Sequence, residues 1–418
     1  MPPTMSDTPP SPRRPLSHLR VLDLSRVLAG PWSTQNLADL GAEVIKVERP
    51  GAGDDTRGWG PPFFGADERR GVRGDSAYYL SANRGKKSIT CDLASAEGQA
   101  LVRALAQKSD IVVENYKVGT LARYGLDYDS LRALNPRLIY CSVTGFGQTG
   151  PYAPRPGYDF VFQGMGGLMS ITGVPDGQPG AGPMKVGVAV ADLMTGMYAT
   201  TAILGALEHR HATGQGQYID ISLLDCLIAL TSFQTLNYFV SGELPQRLGN
   251  GHPNIVPYQV FACKGGHLIL AVANDGQFRS FCKAVGRPDW AEDARFAVGA
   301  ARAANRDLLC GMIAELMLRH TMHEWIELLE ANKVPCGPIN TLDQVFEDPQ
   351  VQHRAMRVAV QHPRGEVSLL ASPMRFADTP VTYDMPPPLL GQHTREVLQQ
   401  VLGYSDADIE GLHARRVV

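Results

Sequence analysis

The chain has 418 residues, 44% of them apolar and 19% charged, with a formal net charge of −3. This composition fits a folded globular enzyme with a large core, excludes a disordered or coiled-coil chain, and gives no general pull toward nucleic acid or anionic membranes. Seven scattered cysteines without a CxxC pair predict free thiols in a reducing, cytoplasmic setting, and no apolar run reads as a membrane span.

Residues 1–17 hold six prolines with Arg13 and Arg14, and predict a disordered tail. Residues 20–24 (RVLDL) read as a strand, Ser25 to Pro31 as a loop, Trp32 to Leu40 as a helix closed by Gly41, and 42–47 (AEVIKV) as the next strand. This β-α-β start predicts a parallel sheet with helices on its faces. Strands at 87–92, 110–114 and 138–144 and a helix at 96–108 continue the pattern. The fold class is therefore α/β, with an open parallel Rossmann-like sheet in a large domain over 18–224. Residues 145–183 are rich in Gly and Pro and predict mostly loop. A buried helix is expected from about Leu193 to Leu207, a strand at 218–222 and a helix at 223–238. A hairpin around Lys264-Gly265-Gly266 and helices near 277–285, 302–318 and 322–330 predict a smaller α+β domain over 225–340. Residues 341–418 are expected to return to the large domain.

Asp192 is a single carboxylate at the junction of an apolar run and a helix carrying Gly196, Ala199, Ala202, Gly205 and Ala206. At or just before a helix N-terminus, an anionic side chain is favoured by free N–H groups and the dipole. Position alone leaves two roles, a helix cap or a nucleophile. The first turn lacks GxGxxG, having only Gly30 followed by Pro31, which argues against a dinucleotide dehydrogenase. Lys46, Arg49, Asn83, Arg84, Lys86, Lys87, Asn115, Lys117 and Arg123 fall at or beyond strand ends and predict a cationic lip for a phosphorylated ligand. His209, His211, His320 and His323 lack metal-ligand spacing, so no metal is expected.

These stretches, taken in order, resemble the family III CoA-transferases of the formyl-CoA transferase type (CaiB/BaiF). The resemblance rests on residues 23–31 (DLSRVLAGP), 44–50 (VIKVERP), 83–88 (NRGKKS), 114–116 (ENY), 145–151 (GFGQTGP), Gly157-Tyr158-Asp159, the Asp192 segment and 386–393 (PPPLLGQH). Residues 51–57, 249–252 and 255–259 look most like the succinate–hydroxymethylglutarate (glutarate) branch. The resemblance implies that Asp192 attacks an acyl-CoA, giving an aspartyl anhydride and then an aspartyl-CoA thioester. It also implies CoA contacts from Val27, Arg49, Cys91, Asn115, Tyr116, Lys117 and Arg123, with Tyr158 lining the acyl site and the Gly249–Gly251 loop closing over intermediates. CoA is then a substrate, with no permanently bound cofactor, and the chain forms an interlocked homodimer. Leu28 replaces the polar residue of formyl-specific members, which disfavours formate and oxalate. Ala94 replaces a lysine near the CoA end. Arg26, Arg57 and His252 are candidates to hold the free carboxylate of a dicarboxylic acid. The alternatives are a carnitine-type transferase and an α-methylacyl-CoA racemase, which has His where this chain has Tyr158; a phenol of pKa ~10 is a poor proton carrier.

Overall fold

The computed structural model describes residues 14–67, 69, 71 and 73–418. Strand β1 (Arg20–Asp23) is followed by α1 (Ala29–Asp39) and β2 (Glu43–Glu48). Next come β3 (Lys86–Thr90), α2 (Ala96–Gln107), β4 (Ile111–Glu114) and β5 (Ile139–Thr144). Then α3 (Asp159–Met165), α4 (Val190–Thr213) and β6 (Tyr218–Ser222) complete the unit. All pairings in this six-stranded sheet are parallel, in the order β6-β5-β4-β1-β2-β3. The sheet is doubly wound, and its direction of growth reverses between β1 and β4.

Alternation along the strands builds two apolar layers. Val21, Val44, Val113 and Ile139 face Leu37 of α1 and Ala199, Ile203 and Ala206 of α4. Leu22, Ile45 and Val112 face Leu101, Val102 and Leu105 of α2, with Val397, Leu398 and Ile409 from the C-terminal helices. Each such fully buried branched side chain contributes about 1.5–3 kcal/mol.

Several expectations are corrected here. Of the tail expected at 1–17, residues 1–13 lie outside the described residues; Leu16 is buried and its N–H donates to the Leu40 carbonyl at 2.9 Å. Helix α1 starts at Ala29 rather than Trp32, because Gly30 and Pro31 fit its first turn. Proline lacks a donor that the first turn leaves unused, and a Cβ on Gly30 would meet Ser25 Cβ at 2.3 Å. Within the Gly- and Pro-rich stretch, α3 forms around the buried Phe162. The helix expected at 223–238 is two, α5 (Leu223–Leu230) and α6 (Ser232–Ser241), bent by 73° where Ser232 takes a φ of +46°.

Helix α4 is long and apolar enough to cross a membrane, with a mean hydropathy of 1.3, against the expectation that no such run exists. Half of that stretch is buried in the protein. Its apolarity serves the core: α4 lies so close to α1 that a Cβ on Gly196 would come within 2.7 Å of the Ala29 carbonyl oxygen. Gly196→Val is therefore expected to push the two helices apart and reduce the protein's activity by at least roughly tenfold, with a lower unfolding midpoint. Activity assays beside thermal melts check this, and wild-type values in both would refute the tight contact.

The described chain divides into two compact units, and the smaller takes residues 169–185 and 240–351. Residues 225–239, expected in the smaller domain, belong to the larger unit, since Leu223 and Leu227 of α5 join the Phe162 core. Of residues 341–418, expected to return to the large domain, 341–351 belong to the smaller unit and 352–418 to the larger. The smaller unit has antiparallel strands β7 (Tyr258–Cys263) and β8 (Gly266–Ala271), with β9 (Cys336–Gly337) beside β8. Phe261, Leu270, Phe278, Phe281, Ile313 and Trp325 form its core.

Candidate active site

At the reversal point the loop after β1 meets the segment after β4, which is where ligands enter doubly wound sheets. The Arg26 N–H donates to Asn115 Oδ1 at 2.8 Å, and Asn115 Nδ2 donates to the Arg26 carbonyl at 2.6 Å. This reciprocal clip ties the two loops together. Val27 has a φ of +71°, which is costly for a β-branched residue. Its N–H donates to Asp54 Oδ1 at 3.2 Å. Lys46 pairs with Asp54 at 2.8 Å and donates to the Ser25 carbonyl at 2.9 Å. Burial works against the Asp54 carboxylate, but Lys46 holds its pKa at about 2. The strained loop is thus fixed from below by buried charges.

That layer corrects the expected cationic lip. Lys46, Lys86 and Arg84 are buried and paired with Asp54, Asp23 and Asp39. Asn83 is buried too, and Lys87 is bound to Glu43 and Glu396. Cations on central strands point into the protein and need anionic partners there. Arg49, Lys117 and Arg123 are exposed.

A cavity of about 200 Å³ opens at the reversal point, and Val27, Asn115, Lys117, Arg155, Tyr158 and Asp192 line it. A second of about 200 Å³ is lined by Arg49, Cys91, Ala94 and Tyr124 among others. Arg26 and Tyr116 line both, with the Arg26 guanidinium 5.2 Å from the centre of the Tyr116 ring. Glu114 accepts the Tyr116 N–H at 2.8 Å and so fixes the backbone at this divide. Burial pushes the Cys91 thiol up to about 12, so it remains a neutral wall group. Arg123 lines neither cavity, while its neighbour Tyr124 does. Gly249 (φ +58°), Gly251 and His252 belong to the smaller unit. Arg57 is not free for a ligand. It is bound to Glu48, Asp75 and Tyr79 within the protein.

Asp192 was expected at or just before the helix start, but it lies in the first turn of α4, which begins at Val190. The cap belongs to Asp159, whose Oδ1 accepts the Ala191 N–H at 2.7 Å. Asp159 Oδ2 accepts from Gln163 Nε2 at 2.6 Å, and Gln163 Oε1 accepts the Val186 N–H at 2.8 Å. The capping role is thus filled by another residue, and the Asp192 carboxylate is left to the cavity. Burial, then the charge of Asp159, raise its pKa to about 7, against the Ala29 backbone N–H at the start of α1. Two helix N-termini therefore converge on this carboxylate, where their N–H groups favour negative charge.

Three contributors escaped sequence reasoning. Asp159 was visible in the Gly157-Tyr158-Asp159 motif without a role. Tyr78 is held protonated, with its pKa raised to about 12 by burial, then by Asp192 and Asp159. Trp59 sits between Tyr78 and Tyr158, with ring centres 5.1 and 6.4 Å away. Neither aromatic has a local signal, since Trp59 follows a single short turn and Tyr78 sits in a five-residue helix, both distant in sequence from Asp192. Among the described residues no group of three or more His, Cys, Asp or Glu could hold a metal ion.

Fold and cavities together define a doubly wound α/β protein with two adjoining cavities at the reversal point of its sheet, one of them lined by Asp192. The CoA-transferase family III profile matches residues 16–394, and the chain belongs to that family. It is 51% identical over 393 residues to succinate–glutarate CoA-transferase of Agrobacterium fabrum, covering 94% of this chain and 97% of that protein. It is 42% identical over 406 residues to human succinyl-CoA:glutarate CoA-transferase, covering 97% and 90%. The crystal structure of a CAIB/BAIF family protein from Brucella suis superposes with a TM-score of 0.81 at 47% identity, covering 93% of this chain and 100% of that one. The protein is a CoA-transferase.

Proposed function

We propose that the protein moves CoA from succinyl-CoA to a dicarboxylic acid such as glutarate or a hydroxymethylglutarate-like acid, with Asp192 as the nucleophile. The observation that carries this reading is the placement of Asp192, relieved of capping by Asp159, in the reversal-point cavity beside Val27 and Asn115. The printed names of the glutarate transferases that the chain resembles support the choice of acids.

An Asp192 oxygen attacks the thioester carbonyl; the C–S bond breaks and CoA leaves as thiolate, giving a mixed anhydride. The thiolate attacks the Asp192 carbonyl, releasing succinate and leaving an aspartyl-CoA thioester. The acceptor carboxylate attacks that carbonyl, expelling the thiolate and forming a second anhydride. Attack of the thiolate on the acceptor's carbonyl yields the new acyl-CoA and frees Asp192. No net proton is consumed, and each difficult exchange becomes two easier ones. The first-turn N–H groups of α1 and α4 are the donors for the oxyanions. Val27, Asn115, Tyr116 and Lys117 hold CoA on one side of the divide, Arg49 and Cys91 on the other, and Arg123 from the rim. Tyr158 lines the acyl side, and the Gly249–Gly251 loop excludes water. CoA passes through as substrate.

The reading includes a homodimer. Phe160, Val161, Met197, Tyr198, Ile228 and Phe233 are all exposed in the larger unit, more apolar surface than a monomer usually leaves open. Light scattering on the purified protein is expected to give twice the chain mass. The reading also includes a cytoplasmic setting, where the free cysteines stay reduced.

Mass spectrometry of the protein mixed with succinyl-CoA and quenched with hydroxylamine or borohydride tests the mechanism. Modification is expected at Asp192; deuterium wash-in at the α-carbon of a branched acyl-CoA without modification would overturn the reading in favour of a racemase. Asp192 must be ionised to attack, so kcat/KM is expected to fall as pH drops below about 7, the value to which burial and Asp159 raise its pKa. Asp159→Asn removes the neighbouring charge and should move this limb to lower pH. A limb unmoved by that variant would show that Asp159 does not set it.

A further inference from the structure

We propose that Arg155 determines acceptor specificity by binding the carboxylate of the acid that does not react. The inference rests on the dicarboxylic-acid reading above.

Arg155 stands in the Pro154-Arg155-Pro156 segment, between two residues with fixed φ. Its guanidinium lies 4.4 Å from the centre of the Tyr152 ring and 5.3 Å from that of Phe146. Phe146 is itself packed edge-on against the buried Phe162 at 5.1 Å. The side chain is thus held on an aromatic platform anchored in the core. Stacking engages the faces of the guanidinium and leaves its edge N–H groups free. Among the described residues, no carboxylate, carbonyl or hydroxyl accepts from them. Nearly every other arginine of the reversal-point region is committed: Arg26 to Asp55, Arg57 to Glu48 and Asp75, Arg84 to Asp39.

Arg155 lines the Asp192 cavity and not the Arg49–Cys91 cavity beyond Arg26 and Tyr116. It comes three residues before Tyr158, on the loop that leads into Asp159. A dicarboxylic acid that presents one carboxylate to Asp192 brings its second into the same cavity. There Asp192 is uncharged as the aspartyl-CoA thioester, but Asp159 stands behind it with a negative charge, and the second carboxylate needs a cation. A guanidinium already oriented, with an unoccupied edge, can bind it in bidentate fashion at little ordering cost. Lys117, among the described residues the other unpaired cation of the cavity wall, comes from the segment after β4, where the proposed CoA contacts lie.

The experiment compares glutarate with valerate, which differ only in the second carboxylate, as acceptors for the wild type and for Arg155→Gln and Arg155→Lys. Calorimetry measures the binding of free CoA to each. Loss of a bidentate charged contact should raise KM for glutarate roughly 100-fold in Arg155→Gln. The glutarate-to-valerate ratio of kcat/KM should collapse, with partial recovery in Arg155→Lys and an unchanged Kd for CoA. Tyr152→Leu, which removes half of the platform, should raise KM for glutarate to a smaller extent. An unchanged ratio in an otherwise active Arg155→Gln overturns the assignment, as does weakened CoA binding at an unchanged ratio, which would make Arg155 a phosphate contact. A wild type that passes CoA to no dicarboxylic acid would overturn the underlying reading, and this inference with it.

Discussion

Asp192→Asn will lose CoA transfer by on the order of 10⁴-fold or more, the scale seen when a nucleophile is removed. An amide cannot form the anhydride, so no covalent adduct with succinyl-CoA should be trapped. The same variant should be more stable than the wild type above neutral pH. The reason lies in the raised pKa of Asp192, about 7 against the ordinary 3.8. Between those values the folded protein keeps a proton that the unfolded chain gives up, so stability falls as pH rises through that window. Below about 3.8 both states are protonated and the contribution is fully present; above about 7 it is gone, and the folded protein carries a poorly solvated charge near Asp159. Asparagine carries no such charge. Thermal melts at pH 5 and pH 8 should show the advantage of Asp192→Asn growing with pH, and equal melts at both would show that burial does not raise this carboxyl. Substantial residual transfer would remove Asp192 as nucleophile.

Arg57→Met is the second large effect, and it falls on stability. The Arg57 side chain donates to Glu48 through two 2.7 Å bonds, to Asp75 at 2.7 Å, to the Tyr79 hydroxyl at 2.6 Å and to the Pro388 carbonyl at 3.1 Å. It also lies over the Tyr79 ring at 3.7 Å. Methionine would leave Glu48 and Asp75 buried without their main cation, at a cost of about 3–5 kcal/mol. Chemical denaturation should show a midpoint shifted to lower denaturant, while the ratio of acceptor acids stays as in the wild type. A stable variant with an altered acceptor profile would return Arg57 to the list of substrate-binding residues.

The contrast between Arg57 and Arg155 shows how far residues alone could lead. The succession of strands and helices and the sheet class were legible, because apolar alternation and the Gly41 stop survive in isolation at 20–47, whereas the order of strands in the sheet came only with the structure. Asp192 was legible as a lone carboxylate beside a small-residue helix. Its exact place was not, because helix α4 is capped by Asp159, far away in sequence. Lys46, Lys86 and Arg84 looked like surface charge, since a string of letters does not show the buried aspartates that face them. Arg155 drew no attention between two prolines, and its aromatic platform comes from Phe146 and Tyr152 in a stretch expected to be mostly loop. The family motifs compensated for part of this, because an ordered set of motifs carries contacts that propensity and periodicity do not.

The divide at Arg26 and Tyr116 has a consequence for how such proteins diversify. Among the described residues only these two side chains line both cavities, and the backbone at each is pinned, Arg26 by Asn115 and Tyr116 by Glu114. Substitutions in the 153–158 loop therefore alter one chamber without disturbing the wall of the other. A lineage can thus reshape the wall around Asp192 while inheriting the chamber of Arg49 and Cys91 intact.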